Sequence, residues 1–430
     1  MRGQSLKKQT LVTAGSAMGV RAVGFFLRLW VSRALGAEAV GIMELSSNVH
    51  MLALTPLCAG LPGAVSRLCA RAEEKEGARI FYAARQMAVR SALLLTALFL
   101  LLCPLIAQLL GDERTLPSLY AFSPCMLLIG VSCVYNGYCH GRGNAWPPAW
   151  GETGEQIARA LFTLFFLSFA SRLALPYRAA LPAFATVLGE GAGLVIVCCL
   201  CGKSPSFRGD ERLPAIKKRI LRLSLPLMLS RLSHTALRTL CSTLIPLRLM
   251  AAGLPKGEAL GRMGMLNGMV NPLLFLPGML TGALATVGGP AAARCKSRKK
   301  ENRLIFRLLS MALGTGMLSA GGLYFFAPLL AKSLYRLPEV SSLLRAMCPL
   351  AVLLPVQQVA SGLMTGLGLQ KKALIASLLG AGITLLCTYL WTADPLLHIY
   401  GAGYGNLAGH GLSLFCSLVF LFCREKEGSL

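Results

Sequence analysis

Long apolar stretches separated by short polar segments run through the whole chain. A helix needs about 20 mostly apolar residues to cross the hydrocarbon core of a bilayer. The stretch from Ser91 to Leu110 shows the pattern well, because it lacks the polar face that a helix of a soluble protein carries. We predict twelve membrane-crossing helices, near residues 9–33, 45–66, 91–110, 118–139, 148–170, 179–201, 223–249, 264–288, 304–330, 342–366, 373–392 and 398–423.

The composition agrees with this pattern. The chain has 430 residues, of which 55% are hydrophobic, and a mean hydropathy of +0.61. These values exclude a soluble globular protein, and twelve apolar stretches exclude a single membrane anchor. The predicted fold class is an all-α polytopic membrane protein.

The longest polar interruption lies between the sixth and seventh apolar stretches and contains KSPSFRGDERLPAIKKRILR. It predicts a six-helix N-terminal lobe over residues 1–201, a basic cytoplasmic linker over 202–222 and a six-helix C-terminal lobe over 223–430. An even number of spans per lobe means that both lobes enter the membrane from the same side, as in parallel repeats.

The charge is strongly positive but unevenly placed. The chain carries 43 Lys and Arg against 18 Asp and Glu, a net charge of +25. Of the 43 cations, 28 lie at the two ends and in or beside the even-numbered connections, 9 lie in or beside the other connections, and 6 lie deeper inside spans. By the positive-inside rule, both termini are cytoplasmic. The excess charge is therefore explained by topology, and no nucleic-acid partner is expected.

Arginines inside the spans are the main candidates for function. Arg21 and Arg28 lie seven residues apart in the first span, and Arg231 and Arg238 repeat this spacing in the seventh. Seven residues make nearly two helical turns, so each pair shares one helix face. A guanidinium at bilayer depth is costly unless it faces protein or water, so these residues predict a hydrated, positively charged path. The other two intramembrane arginines are Arg159 and Arg248.

Carboxylates that could neutralise these cations are confined to the first half. Glu152, Glu155 and Glu190 lie in the first six spans, whereas spans seven to twelve contain no acidic residue. An anionic ligand is the natural counter-charge, and the planar fork of arginine suits phosphate. The alternative is that the arginines pair between helices or snorkel separately to the headgroups, as Arg28 and Arg248 could from the outer ends of their spans.

Four residues are further candidates for the same path. Glu155 and Arg159 have the i, i+4 spacing of a helix ion pair, which is either structural or a moving latch. Glu190 lies at mid-depth in the sixth span, where it either pairs with Arg159 or takes up a proton. His234, between Arg231 and Arg238, is predicted to line the path.

Prolines interrupt two corresponding spans. Pro56 and Pro62 lie in the second span, and Pro272 and Pro277 lie in the eighth. Each removes a backbone hydrogen bond, so both helices are expected to bend, which suits a carrier that changes conformation. The alternative is that Pro is simply common in membrane helices.

The motifs of several enzyme classes are missing from the sequence. Fifteen cysteines and five histidines are scattered without metal-ligand spacing, and no GxxxxGK[ST] loop is present. We therefore expect no enzyme activity, no catalytic residues, no bound metal and no cofactor.

Several blocks of sequence resemble a known family. GFFLRLWVSRALGAEAVGIMEL and AGLPGAVSRLCA are similar to the first two spans of the MATE-like flippases of lipid-linked oligosaccharides, a group that includes the stage V sporulation protein B type and lipid II flippases. YNGYCHGRGNAWPPAWGETGEQIAR, LIPLRLMAAGL, LLFLPGMLTGALATVGGPA and QQVASGLMTGLG add to the likeness, which extends from residue 24 to about 368. Members of this group usually have fourteen spans, whereas this chain has room for about twelve.

The resemblance implies a function. It implies a MATE-like transporter of the MOP superfamily with two lobes around a central cavity, in a bacterial plasma membrane. The implied cargo is a polyprenyl-pyrophosphate-linked glycan, such as a peptidoglycan, spore-cortex or surface polysaccharide precursor, and the implied partners are membrane lipids and cell-envelope synthases. Cavity arginines of related flippases contact the pyrophosphate, and Arg21, Arg28, Arg231 and Arg238 fit that role here.

Two other hypotheses stay open. A cation-coupled multidrug antiporter of the same architecture would need a cavity carboxylate, for which Glu190 and the Glu152 and Glu155 pair are available. A non-transporting membrane scaffold in envelope assembly would use the arginines only to hold lipid phosphates.

Overall fold

The computed structural model describes residues 6–202, 207, 209–295 and 297–423, with side chains from residue 19 onward except those of 280, 283 and 287. Both chain ends and part of the predicted linker, residues 203–206 and 208, lie outside the described residues. No β-strand occurs in the described part. Fifteen α-helices are present: α1 Leu6–Leu35, α2 Ala37–Cys58, α3 Leu61–Arg71, α4 Glu74–Leu109, α5 Leu116–Gly141, α6 Trp146–Leu167, α7 Leu175–Cys201, α8 Leu213–Ala251, α9 Lys256–Gly264, α10 Asn271–Leu274, α11 Leu276–Ala293, α12 Arg298–Leu330, α13 Glu339–Gly366, α14 Gln370–Trp391 and α15 Ile399–Phe422.

Two of the predicted spans are interrupted helices. The second span consists of α2 and α3, which are separated at Ala59 and Gly60, and Pro62 lies in the first turn of α3. The eighth span consists of α9, a π-helical stretch over Met265–Val270, α10 and α11, with Pro272 and Pro277 each near a helix start. With these two spans joined, the helices correspond to the twelve predicted stretches. Both proline-containing spans are therefore interrupted and not continuous α-helices.

Within the described residues, eight helical segments are long and apolar enough to cross a membrane by length and composition. The segments outside this set include α1, α6 and α8, which carry the six arginines predicted inside the membrane.

The chain divides into two compact units. The first unit comprises Met1–Leu35 and Ile42–Ala236, and the second unit comprises Gly36–Gly41 and Leu237–Leu430. The division between the units falls inside α8. The lobe boundaries at 201 and 223 stay a prediction.

Each unit has its own apolar core. In the first unit, buried residues of α3, α4 and the start of α8, among them Leu68, Phe81 and Ile220, form one cluster. In the second unit, Ile305, Leu363 and Leu421 belong to a cluster built by α12, α13 and α15. These packed cores hold the helices that carry the polar residues described next.

Candidate functional site

The two arginines of α1 have different environments. The Nη2 atom of Arg28 donates to Oε1 of Glu44 in α2, so this guanidinium is neutralised within the first unit. Glu44 was not predicted as the partner of Arg28, because it lies one residue before the predicted start of the second span. Arg21 is exposed and makes no ion pair with a described carboxylate.

Close packing of α6 against α7 creates the most elaborate charged cluster of the first unit. A methyl group at Gly189 would lie 2.9 Å from the carbonyl oxygen of Glu155, so only glycine allows the two helices to approach this closely. The neighbouring Glu190 thereby reaches α6. Arg159 Nη2 donates to a carboxylate oxygen of Glu155, its i, i+4 neighbour, and to Oε1 of Glu190 at 3.0 Å.

This cluster is mostly shielded from solvent. The exposed fractions of the side chains are 24% for Arg159, 22% for Glu155 and 14% for Glu190. Arg159 Nη1 also lies 3.4 Å from Oε1 of Gln156. Two carboxylates against one guanidinium leave the cluster one formal negative charge, which an absorbed proton or a bound cation would balance.

Gln156 connects this cluster to α1. Its amide side chain lies against Gly24, which shares a helix face with Arg21 and Arg28. The structure therefore brings the arginine face of α1 next to the Glu155, Arg159 and Glu190 cluster.

The candidate residues of α8 are accessible. Arg231, His234 and Arg238 are all exposed along one stretch of the helix. Neither arginine makes an ion pair with a carboxylate among the described residues. Arg231 belongs to the first unit, and Arg238 belongs to the second.

Arg248, near the end of α8, is held by protein contacts. Its guanidinium carbon lies 4.1 Å from the centre of the Tyr389 ring, and its Nε donates to the Tyr389 carbonyl oxygen at 2.8 Å. Cation–π stacking and this hydrogen bond satisfy the side chain without a ligand. Arg248 therefore acts as a structural contact of the second unit.

The second unit contains an uncharged polar network that the sequence pattern did not predict. Gln357 in α13 donates to Ser413 in α15 at 2.7 Å, and its Oε1 lies 2.6 Å from Nδ1 of His410. The next residue, Gln358, accepts a hydrogen bond from Thr281 in α11 at 2.9 Å. The one available signal was the adjacent pair of glutamines in QQVASGLMTGLG, two polar residues inside an otherwise apolar span.

The π-helical stretch places another polar side chain in the same unit. Asn267 donates to Oγ of Ser242 at 3.2 Å and accepts a hydrogen bond from Asn271 at 3.0 Å. Single π-helical turns inside helices are frequently found at functional sites. The second unit therefore offers amide and hydroxyl groups, which are the groups that hydrogen-bond to sugar hydroxyls.

A family model and a known relative both match most of this chain. Residues 6–294 match the family model described as polysaccharide biosynthesis protein. The chain is 29% identical over 429 residues to stage V sporulation protein B of Bacillus subtilis (strain 168), covering 95% of this chain and 82% of that protein.

Solved structures show the fold. A lipid II flippase, MurJ, in an inward closed conformation has a TM-score of 0.74 at 14% identity and covers 96% of this chain and 92% of its own. A multidrug resistance MATE family transporter of the MOP superfamily, inward-facing, has a TM-score of 0.71 at 22% identity and covers 98% of this chain and 94% of its own. The predicted all-α MATE-like MOP fold is confirmed, as is the family resemblance read from the sequence blocks.

Proposed function

Because the chain belongs to the polysaccharide biosynthesis protein family, we propose that it is a flippase that moves an anionic polyprenyl-pyrophosphate-linked glycan across a bacterial plasma membrane. The cargo would be a precursor of peptidoglycan, spore cortex or a surface polysaccharide. The names of a sporulation protein and a lipid II flippase among the relatives support this assignment. Transport would follow alternating exposure of the bound headgroup to the two membrane faces.

The observation that carries the proposal is the set of arginines without a carboxylate partner among the described residues. Arg21, Arg231 and Arg238 are accessible cations on helices predicted to cross the membrane. A diphosphate carries the complementary charge, and arginine binds its oxygens through paired, charge-assisted hydrogen bonds. In this proposal these three residues bind the diphosphate, and His234 lines the same path.

Arg28 and Arg159, which are ion-paired with carboxylates, have a different role in this proposal. Arg28 and Arg159 already have carboxylate partners, so a diphosphate would have to compete with Glu44, Glu155 and Glu190 for them. We assign Arg28 and Arg159 to substrate contact only in a conformation where those ion pairs open. Glu155 and Glu190 would then act as the latch that closes again after release.

The test is translocation of a lipid-linked glycan by the purified protein in liposomes. The double variant Arg231→Ala/Arg238→Ala should lower the rate by at least about 100-fold, because each lost charge-assisted contact is worth about 1.5–3 kcal/mol. The control Arg303→Ala/Arg307→Ala also removes two arginines, which are exposed near the start of α12 at the edge of the predicted ninth span, and should transport normally. Undiminished flipping by the α8 variant would refute the proposal.

A cation-coupled multidrug antiporter is the second candidate, and the Glu155, Arg159 and Glu190 cluster is the observation that favours it. The multidrug transporter among the structural relatives has the same fold. If this function is correct, the protein extrudes cationic dyes, and Glu190→Gln stops extrusion. If the protein is a flippase instead, neither the wild-type protein nor the Glu190→Gln variant changes dye accumulation.

Location and partners complete the proposal. We infer that both termini face the cytoplasm from the distribution of Lys and Arg, which accessibility of single introduced cysteines on either side of intact cells would test. Cell-envelope synthases that make the lipid-linked precursor are proposed partners. A scaffold without transport activity would tolerate a crosslink that stops conformational change, whereas a flippase would not.

A further inference from the structure

A groove lined by cations lies between the end of α3 and the beginning of α8 in the first unit. Its volume is about 700 Å³. Five basic side chains line it: Arg67, Arg71, Lys218, Arg219 and Arg222. Its remaining lining is apolar and comes from Leu68, Ala70, Ala215 and Leu223.

Local packing builds this groove. A methyl group at Gly60 would lie 2.2 Å from the carbonyl oxygen of Ser224, so α3 and α8 touch backbone to backbone beside the groove. Leu68 of α3 and Ile220 of α8 are buried in one apolar cluster. The groove is therefore formed by a packed pair of helices before any ligand binds.

The cations of the groove repel one another along each helix. Arg67 and Arg71 are four residues apart on α3, and Lys218 and Arg222 are four residues apart on α8. Like charges at this spacing destabilise a helix. Such an arrangement is relieved when an anion binds between the two rows.

Little protein charge opposes these cations. Among the described residues, the one carboxylate paired with a groove cation is Glu76, whose oxygen lies 4.0 Å from Arg219 in an exposed position. Arg67, Arg71, Lys218 and Arg222 form no ion pair with a described carboxylate.

The position of the groove indicates a lipid ligand. The apolar segment Ala37–Arg71 ends at Arg71, so the groove lies where a membrane span meets water. Phosphate groups of lipids lie at that level, and basic pockets between membrane helices bind anionic headgroups. The positive-inside rule explains cations on this side of the membrane, but it does not require five of them to converge on one groove with an apolar floor.

We propose that this groove binds the phosphate group of an anionic membrane lipid, with the apolar floor contacting the start of the lipid chain. The source is either bulk phospholipid or the diphosphate of a polyprenyl lipid. The site does not depend on the proposed transport activity, because binding is measured without transport.

The test uses the purified full-length protein in detergent, stripped of lipid and titrated by native mass spectrometry. The probes are cardiolipin, phosphatidylglycerol, a polyprenyl diphosphate, inorganic pyrophosphate and zwitterionic phosphatidylcholine. We expect the anionic lipids to bind at least about tenfold more tightly than phosphatidylcholine, and added salt to weaken this preference. The tighter of the two anionic classes identifies the source, and either supports the site.

Matched variants localise the binding. Arg71→Ala/Arg222→Ala removes one cation from each helix and should lower the affinity for anionic lipid by about tenfold. Arg303→Ala/Arg307→Ala, which removes two exposed arginines of α12 away from the groove, should leave it unchanged. If the first variant does not fold, Lys218→Ala/Arg219→Ala tests the same groove.

Three results would overturn the proposal. One is full affinity in a folded groove variant, and another is equal binding of phosphatidylcholine. The third is binding of inorganic pyrophosphate as tight as that of the polyprenyl diphosphate, which would show that the apolar floor adds nothing.

Discussion

The interiors of the two units satisfy their polar groups by different means. In the first unit, Arg28 and Arg159 are balanced by carboxylates of neighbouring helices. In the second unit, Gln357, His410 and Ser413 satisfy one another as an uncharged network, and spans seven to twelve contain no acid at all. Charge at bilayer depth must be paired or face a hydrated cavity, whereas amides and hydroxyls need only hydrogen bonds.

The two units are therefore suited to different parts of the proposed transport. A unit with paired charges is suited to a change of conformation, because exchanging partners moves charge without exposing it to lipid. A unit with neutral donors and acceptors is suited to contact with sugar hydroxyls. The accessible arginines of α8 lie on the helix that is shared by both units.

The largest expected loss of stability follows from removing Arg159, the central cation of the charged cluster. Arg159→Ala leaves Glu155 and Glu190 close together without a guanidinium, and should lower the free energy of unfolding by about 3 kcal/mol. Thermal and denaturant unfolding of the purified protein in detergent measure this loss. The triple variant Arg159→Met/Glu155→Gln/Glu190→Gln removes all the charges and should recover most of the stability. A stable Arg159→Ala protein would contradict the ion-paired cluster.

Removing the centre of the uncharged network should cost less. Gln357→Ala deletes the hydrogen bonds to Ser413 and His410, and should lower the free energy of unfolding by about 1–2 kcal/mol. The same unfolding measurement applies. Thr365→Ala on the same helix is the control, because this exposed hydroxyl only contacts its own helix at Ser361. A loss as large as that of Arg159→Ala would remove the distinction between the units.

A double-mutant cycle tests which of the two α1 arginines is coupled to Glu44. Arg28→Ala, Glu44→Gln and the combined variant should give a coupling of about 0.5 kcal/mol, small because 41% of the Arg28 side chain is exposed. Arg21→Ala combined with Glu44→Gln should show no coupling. Equal coupling of both arginines to Glu44 would mean that Arg21 is also neutralised by this carboxylate.

The smallest effect concerns a charge pair outside the membrane. Asp210, just before α8, accepts a hydrogen bond from the Arg212 backbone and one from Arg79 Nε at 2.7 Å. These contacts hold the pKa of Asp210 below its ordinary value. Its stabilising contribution is therefore present above the ordinary aspartate pKa of about 4 and is lost as the pH falls through the lowered pKa.

Hydrogen exchange of residues 209–213 measures this dependence. Exchange should rise slightly as the pH is lowered below about 4, after correction for intrinsic rates. Asp210→Asn should show the faster exchange at every pH. A wild-type protein whose corrected exchange does not change would contradict the role of this ion pair in anchoring the connector to α4.

Several features followed from local pattern. Twelve apolar stretches predicted the spans, because hydrophobic length is measured along the chain. Prolines predicted the interruptions at Gly60 and near Phe275, because Pro acts on its own helix. The Glu155 and Arg159 pair was predicted from the i, i+4 spacing alone.

Other features depended on where a helix was assumed to end. Glu44 was not counted among the intramembrane acids, because the predicted span began at residue 45. The end of a helix in the membrane is set by neighbouring helices and by the headgroup boundary, which the apolar pattern marks only to within a turn. The partner of Arg28 was therefore missed.

By itself, the sequence determined that this chain is a helical membrane protein of the polysaccharide biosynthesis family, with its cations concentrated in particular helices and connections. Only the tertiary structure decided which charges meet. Glu190 reaches Arg159 across 31 positions, and Arg71 faces Lys218 across nearly 150, because glycines at 189 and 60 let their helices touch. Spacing along one helix is fixed by its backbone geometry, whereas contact between helices is fixed by packing.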